Sequence, residues 1–209
     1  EEARELVRNL NFGALPVPIT LASSQSVGAS LGETALNRSA FAGLWGFAFV
    51  ALFLILWYRL PGVIAVVALI LYVALSLAIF KLIPVTLTAA GLAAFILSIG
   101  MAVDANILIF ERTKEELAGG RSLGEAIREG FHRAWTSIRD SNLSSIITGV
   151  ILFWLGGTAV IKGFALVFVI GVLVSMFTAI TVTRSFLLAL GLGSHESKTA
   201  KFLFGNGLS

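Results

Sequence analysis

Gly100-Met101-Ala102-Val103-Asp104-Ala105-Asn106-Ile107-Leu108-Ile109-Phe110-Glu111-Arg112 is the stretch on which the reading of this chain turns. From Val85 to Phe110 the only ionisable side chain is Asp104. As a helix that run extends about 39 Å, enough to cross the roughly 30 Å hydrocarbon core of a bilayer. Asp104 lies about 10 Å along such a helix from Glu111 and is therefore well inside the span. A charged carboxylate facing lipid at that depth costs several kcal/mol, so the group either carries its proton or meets a cation. Lys81 and Lys162 belong to the opposite end of the spans, and Arg184 sits near the end of the last one. Asp104 is either a neutral, hydrogen-bonded packing residue or a proton carrier that changes charge as water reaches it. Intramembrane acids are rarely kept for packing alone, and proton transport is the expectation.

Composition agrees with a bilayer as solvent. Of 209 residues, 57% are hydrophobic and 13% charged, about half the charge of an ordinary soluble domain, and the mean hydropathy is +0.93. The net charge of +3 does not indicate a nucleic-acid partner, because the basic residues flank apolar runs instead of forming a patch. Cysteine is absent and the histidines are only His132 and His195, which leaves neither a disulfide framework nor a histidine-rich metal site. No nucleophile is paired with a base and no phosphate-binding loop occurs, so neither an enzyme nor a bound cofactor is expected.

Five spans are expected: about Phe41 to Tyr58, Val63 to Phe80, Val85 to Phe110, Leu143 to Leu155, and Gly163 to Leu190. Pro61-Gly62 turns the chain between the first two, and Gly156-Gly157 closes the fourth. Residues 1–37 read as the end of an extracytoplasmic domain, with an extended β-like edge between Pro16 and Leu21. Residues 38–190 form the transmembrane domain, and 191–209 a polar tail. Arg59, Arg112, Lys114, Arg121, Arg128, Arg133, Arg139, Arg184, Lys198 and Lys201 gather on one side. The positive-inside rule makes that side cytoplasmic, with the N-terminal segment outside and the C-terminus inside.

Ser122 and Glu125 fit a capping box that opens a cytoplasmic linker helix over about 122–139. Leu123, Ile127, Phe131, Trp135 (or Ala134) and Ile138 form one apolar stripe, suited to a helix lying flat on the inner membrane surface. On the Asp104 helix, Ala93 and Gly100 share the acid's face, while Ala90, Ala94, Ser98, Ala102 and Asn106 form a second small stripe. Small faces on two sides suit a helix packed against several neighbours. Asn106, Asn142, Ser145, Thr148, Ser175 and Thr178 could line a hydrated route or bond Asp104; they could equally be hydrogen-bonding glue between helices. Arg184 reads as an interface anchor.

The Gly100–Arg112 run, continued by Lys114-Glu115-Glu116, strongly resembles the signature of the SecD/SecF family, SecD in particular. Gly13-Ala14-Leu15-Pro16-Val17-Pro18, Val27-Gly28-Ala29-Ser30-Leu31-Gly32 and Ser175-Met176-Phe177-Thr178-Ala179 look like the same family. Phe110-Glu111-Arg112 favours SecD over SecF, whose equivalent helix usually ends in Asp-Arg. The resemblance implies a half of an RND-type twelve-helix bundle in a bacterial cytoplasmic membrane, pairing with SecF. SecD normally has six spans with a large extracytoplasmic domain between the first two; the five here would be the second to sixth. The implied partners are SecF, the SecYEG channel, SecA, YajC and an unfolded secretory polypeptide, with the proton gradient as energy source. The family's membrane aspartate maps onto Asp104, and a basic partner would come from the SecF half. An RND-type proton-coupled small-molecule transporter and a non-transporting channel scaffold are the competing readings. The former often carries paired acids where this chain has Asp104 and Asn106.

Overall fold

A computed structural model of the chain describes Val7 and residues 29–193. Every regular element among residues 29–193 is helical. Helix α1 spans Ala29–Leu82, α2 Ala89–Ala118, α3 Leu123–Leu155 and α4 Ala159–Thr178; a π-helical turn, Ala179–Thr183, leads into α5, Arg184–Gly193. The β-like edge between Pro16 and Leu21 and the tail from 194 to 209 lie outside the described residues. Residues 29–37, expected in the extracytoplasmic segment, are helical and run straight into the first span.

Helix α1 is two helices in one. Arg59 has φ 51° and ψ −115°, outside helical geometry, and Pro61 has no N–H to donate to the preceding turn. Helix propagation therefore fails at 59 and restarts with proline in the first turn of the second arm, where its fixed φ suits it. A Cβ added at Gly62 would overlap the carbonyl of Leu54, whereas a continuous helix would hold those residues about 12 Å apart. The arms, 29–58 and 60–82, thus fold back on each other. Phe47 of one and Val73 of the other line the same apolar groove, as do Ala40 and Leu77. Among the described residues, three helical stretches are long and apolar enough to cross a membrane: Asn37–Leu82, which contains this fold, Ala89–Ala118, and Ala159–Ala189.

The third expected span, the linker helix over about 122–139 and the fourth span are not separate units. Helix α2 continues to Ala118, and α3 runs unbroken from Leu123 to Leu155, about 50 Å. Polarity alone does not end a helix; no glycine or proline interrupts residues 131–148, and the chain turns only at Gly119-Gly120, where Gly120 takes φ 87°. The capping box forms as expected, with the Glu125 carboxylate accepting from the Ser122 N–H at 3.3 Å and its hydroxyl at 2.8 Å. The Ser122 hydroxyl holds the Glu125 carboxyl below the usual carboxylate range.

The apolar stripe of α3 does not face the membrane surface. Leu123, Ile127, Ala134 and Ile138 are buried in a cluster with Ile109 and Phe110 of α2 and Leu187 of α5. Carboxylates and half-exposed guanidinium groups then clamp the two helices. Glu116, with 11% of its side chain exposed, lies between Arg121 at 2.9 Å and Arg133. The stripe thus docks α3 on α2, and its registry depends on Gly130. A Cβ there would stand 2.5 Å from the Thr113 backbone nitrogen and 2.6 Å from its Cα. Elsewhere the surface is apolar: Leu44, Phe49, Leu56, Trp154 and Leu155 are all more than half exposed, as lipid-facing side chains are.

Gly130→Ala is expected to lower stability by about 1–3 kcal/mol, because backbone atoms, unlike a flexible side-chain tip, cannot yield to the added methyl. Gly100→Ala, where nothing lies within 4 Å, is expected to be neutral or to stabilise by up to about 1 kcal/mol. Thermal unfolding of the two variants in detergent compares them directly, and equal midpoints would contradict the packing described.

Candidate functional site

Helix α2 carries the site because its two faces do different work. Ala94, Ser98, Ala102 and Asn106 are buried, whereas Ala93, Leu97, Gly100 and Asp104 are exposed. The first set lets α2 sit close to α4: a Cβ on Gly171 would overlap the Ser98 side chain and stand 3.1 Å from the Tyr72 hydroxyl. Ser98 gives its proton to the Phe95 carbonyl at 2.7 Å, so in the 2.6 Å contact between Tyr72 and Ser98 the tyrosine donates. Three elements, the second arm of α1, α2 and α4, are thereby joined at one buried point.

Asp104 opens onto a groove of about 120 Å³ between α2 and α3, lined by Met101, Asp104, Leu108, Ser141, Asn142 and Ser145 among others. Such a space holds several waters if polar groups face it. Among the described residues, no cation forms an ion pair with Asp104 and no side chain hydrogen-bonds it. Asn142 is buried and donates to the Ile138 carbonyl at 2.7 Å. Ser145 donates to Ser141 at 3.1 Å.

The expected route is only partly assembled. Asp104, Asn142 and Ser145 share the groove, joined by Ser141, which sequence reading passed over. Thr148 stands on the same helix outside the groove's lining, exposed and bonded to the Ser144 carbonyl at 2.9 Å. Ser175 and Thr178 are buried in α4 and spend their hydroxyls on their own helix, on Val172 and on Val174 and Ser175. Asn106 points away from Asp104; its side-chain oxygen accepts from the Thr183 hydroxyl at 2.8 Å, both groups buried. Tyr72 and Thr183 are the polar anchors that the sequence reading missed. Tyr72 lies in an apolar run shared with Ser76, and Thr183 is one of three threonines between 178 and 183; only the partner across the helix interface sets each apart. Arg184 places its guanidinium 4.7 Å from the Phe131 ring centroid, a cation–π contact, and Phe131 stacks on Trp135. Among the described residues, no three His, Asp or Glu side chains are grouped to hold a metal ion.

Long apolar helices, exposed hydrocarbon on the outside and one carboxylate at a polar groove within a span define an integral membrane protein of the helical-bundle class. Residues 11–192 match the family described as "Protein export membrane protein SecD/SecF, C-terminal". The chain belongs to the SecD/SecF family, and within it the similarity is to SecD. It is 60% identical over 190 residues to the protein translocase subunit SecD of Thermobaculum terrenum, covering 90% of this chain and 37% of that protein. With the SecD of Synechocystis it shares 46% identity over 209 residues, all of this chain and 44% of the relative. The protein translocase subunit SecDF of Bacillus subtilis is 46% identical over 205 residues, 98% of this chain and 28% of that one. The crystal structure of SecDF from Thermus thermophilus, titled a translocon-associated membrane protein, superposes with a TM-score of 0.79 at 35% identity over 91% of this chain and 26% of the other. A SecDF structure in a "super-membrane-facing form" gives 0.73 at 34% identity, covering 87% of this chain and 25% of that one. The chain thus spans about two fifths of the length of the SecD relatives it matches.

If the groove admits water, its serines differ in reactivity from those buried in α4. These 209 residues contain no cysteine; with any cysteine outside them replaced, Ser141→Cys and Ser145→Cys in the full-length protein are expected to react with a water-soluble maleimide in membranes. Ser175→Cys, at a position 1% exposed, is expected to stay unreacted, because the thiolate needs water to form. Equal protection of all three would mean that the groove is dry.

Proposed function

We propose that this chain is the membrane part of a SecD subunit that uses the proton motive force to assist export of secreted polypeptides across a bacterial cytoplasmic membrane. The observation that carries the reading is Asp104, a lone acid in an apolar span that faces a polar groove and meets no cation among the described residues. A carboxylate so placed is stable only if it holds a proton or is met by a positive group from elsewhere. Exposure of its face supports the second half of the family's bundle, SecF, as the source of that group. Five crossings are formed by the two arms of α1, α2, the apolar end of α3, and α4 with α5. The N-terminal segment is extracytoplasmic and the C-terminus cytoplasmic, as the distribution of lysine and arginine supports.

On this reading Asp104 takes up a proton when water reaches it from one side and releases it when water reaches it from the other. The change of charge alters the energy of packing against the opposing half, and the two states of the bundle exchange populations accordingly. SecYEG, SecA and YajC are the partners at the channel, and the substrate is the unfolded polypeptide. Asn142, Ser141 and Ser145 hydrate the acid on this chain's side.

Asp104→Asn keeps the shape of the side chain and removes its titration. Export stimulated by the proton gradient is expected to vanish in that variant, with membrane insertion and pairing with SecF unchanged, as measured in inverted membrane vesicles with and without an ionophore. Gradient-stimulated export that survives the substitution would overturn the mechanism and leave a scaffold for the channel.

A further inference from the structure

Asn106 lies two residues from Asp104, about 200° around the helix, so one rigid segment shows the acid to the outside and the amide to the inside. The amide's partner, Thr183, closes the π-helical turn of Ala179–Thr183. A π-turn contains one residue more than the α-helix would need there, and such turns recur where a helix must change register. Absorbing or releasing that residue rotates everything beyond it by about 100°. What lies immediately beyond is committed to other elements. Arg184 stacks over Phe131 of α3, and Leu187, 1% exposed, is packed in one cluster with Tyr58 near the fold of α1 and Phe110 of α2 and lines a small cavity with Pro61 and Thr113.

We propose that the Asn106–Thr183 hydrogen bond is the positioning contact through which movement of α2 at Asp104 is passed to the π-turn, and from there to α3 and the fold of α1. The inference rests on the reading of Asp104 as a proton carrier and names the part that responds. Asn106 and Thr183 are positioning residues: neither touches the acid. The bond suits the task because both of its groups are buried. If α2 shifts, no water replaces the lost partner, and an unpaired buried amide or hydroxyl is costly. The π-turn must therefore follow α2 or the bond must break at a cost. The other buried polar groups of the last span, Ser175 and Thr178, bond only within their own helix and carry nothing across.

The test uses the full-length protein paired with its partner half in membranes. Backbone hydrogen–deuterium exchange of residues 179–190 is compared between the parent and Asp104→Asn, each with Thr183 intact and with Thr183→Val. Valine keeps the volume and removes the donor; Thr183→Ala, smaller still, serves where valine fails to assemble, and Thr183→Ser restores the donor. With Thr183 intact, Asp104→Asn is expected to change exchange in the π-turn. In the valine or alanine background that response is expected to disappear, with gradient-stimulated export reduced at least about fivefold, the low end of ordinary coupling between sites. Serine is expected to restore both. If Asp104→Asn abolishes gradient stimulation while the valine or alanine variant keeps both export and the exchange response, this inference fails and the proton-carrier reading stands. If Asp104→Asn keeps gradient stimulation, the proton-carrier reading itself fails and the inference falls with it.

Discussion

An ionisable side chain placed in hydrocarbon forces a decision on everything around it, and in this chain the decision falls on α2. That helix has to bury one face deeply enough to be held and leave the other open to the acid's needs. Small residues do the first. Ala94, Ser98 and Ala102 let α4 approach until only glycine fits at 171, and close approach is the main source of helix association where lipid removes any hydrophobic gain. The second follows from what is absent on the Asp104 face: Ala93 and Gly100 present almost no bulk. A second helical surface can therefore come within hydrogen-bonding reach of the carboxyl.

The division of the chain into apolar runs was legible from sequence because membrane helices obey a length rule that soluble ones do not. Gly156-Gly157 marked a real end, with Gly156 capping α3; Pro61-Gly62 marked the region of a break that itself falls at Arg59, both residues lying in the first turn of the second arm. The boundary near Asp140 was not real. Arg139, Asp140, Ser141 and Asn142 look like a loop by polarity, yet all are compatible with helix, and nothing in them stops propagation from Leu123 to Leu155. The amphipathic stripe of α3 was read correctly as a stripe and assigned to the wrong partner. Periodicity reports that a face is buried, not what buries it, and the glycine at 130 that admits α2 leaves no trace in a hydrophobic pattern.

The site divides along the same line. Asp104 stood out because one charge among 26 apolar or small residues needs a reason, and that reason is electrostatic and local. Grouping Asn106, Ser175 and Thr178 with it did not follow, because hydroxyls and amides in a span have a cheaper option than a distant acid. Ser175 and Thr178 turn back on their own helix carbonyls. Asn106 instead accepts from Thr183 across the interface. Two residues of sequence put the acid and the amide on opposite faces of one helix, one exposed and one buried.

Rigidity is distributed unevenly along α2. Toward Ala118 it is held to α3 by the glycine contact at 130, by a buried apolar seam and by Glu116 between two guanidinium groups. Arg121 and Arg133 are each nearly half exposed, so the ion pairs add orientation more than stability; the seam supplies the strength. At the π-turn the only side-chain bond to α2 is a single neutral one. α2 is also held beyond that bond: Ser98 joins it to the second arm of α1 through Tyr72, and Gly171 of α4 closes on the same residue. The Asn106–Thr183 bond therefore lies between two close-packed stretches of α2, and it sets the π-turn against that helix through one pair of buried polar groups.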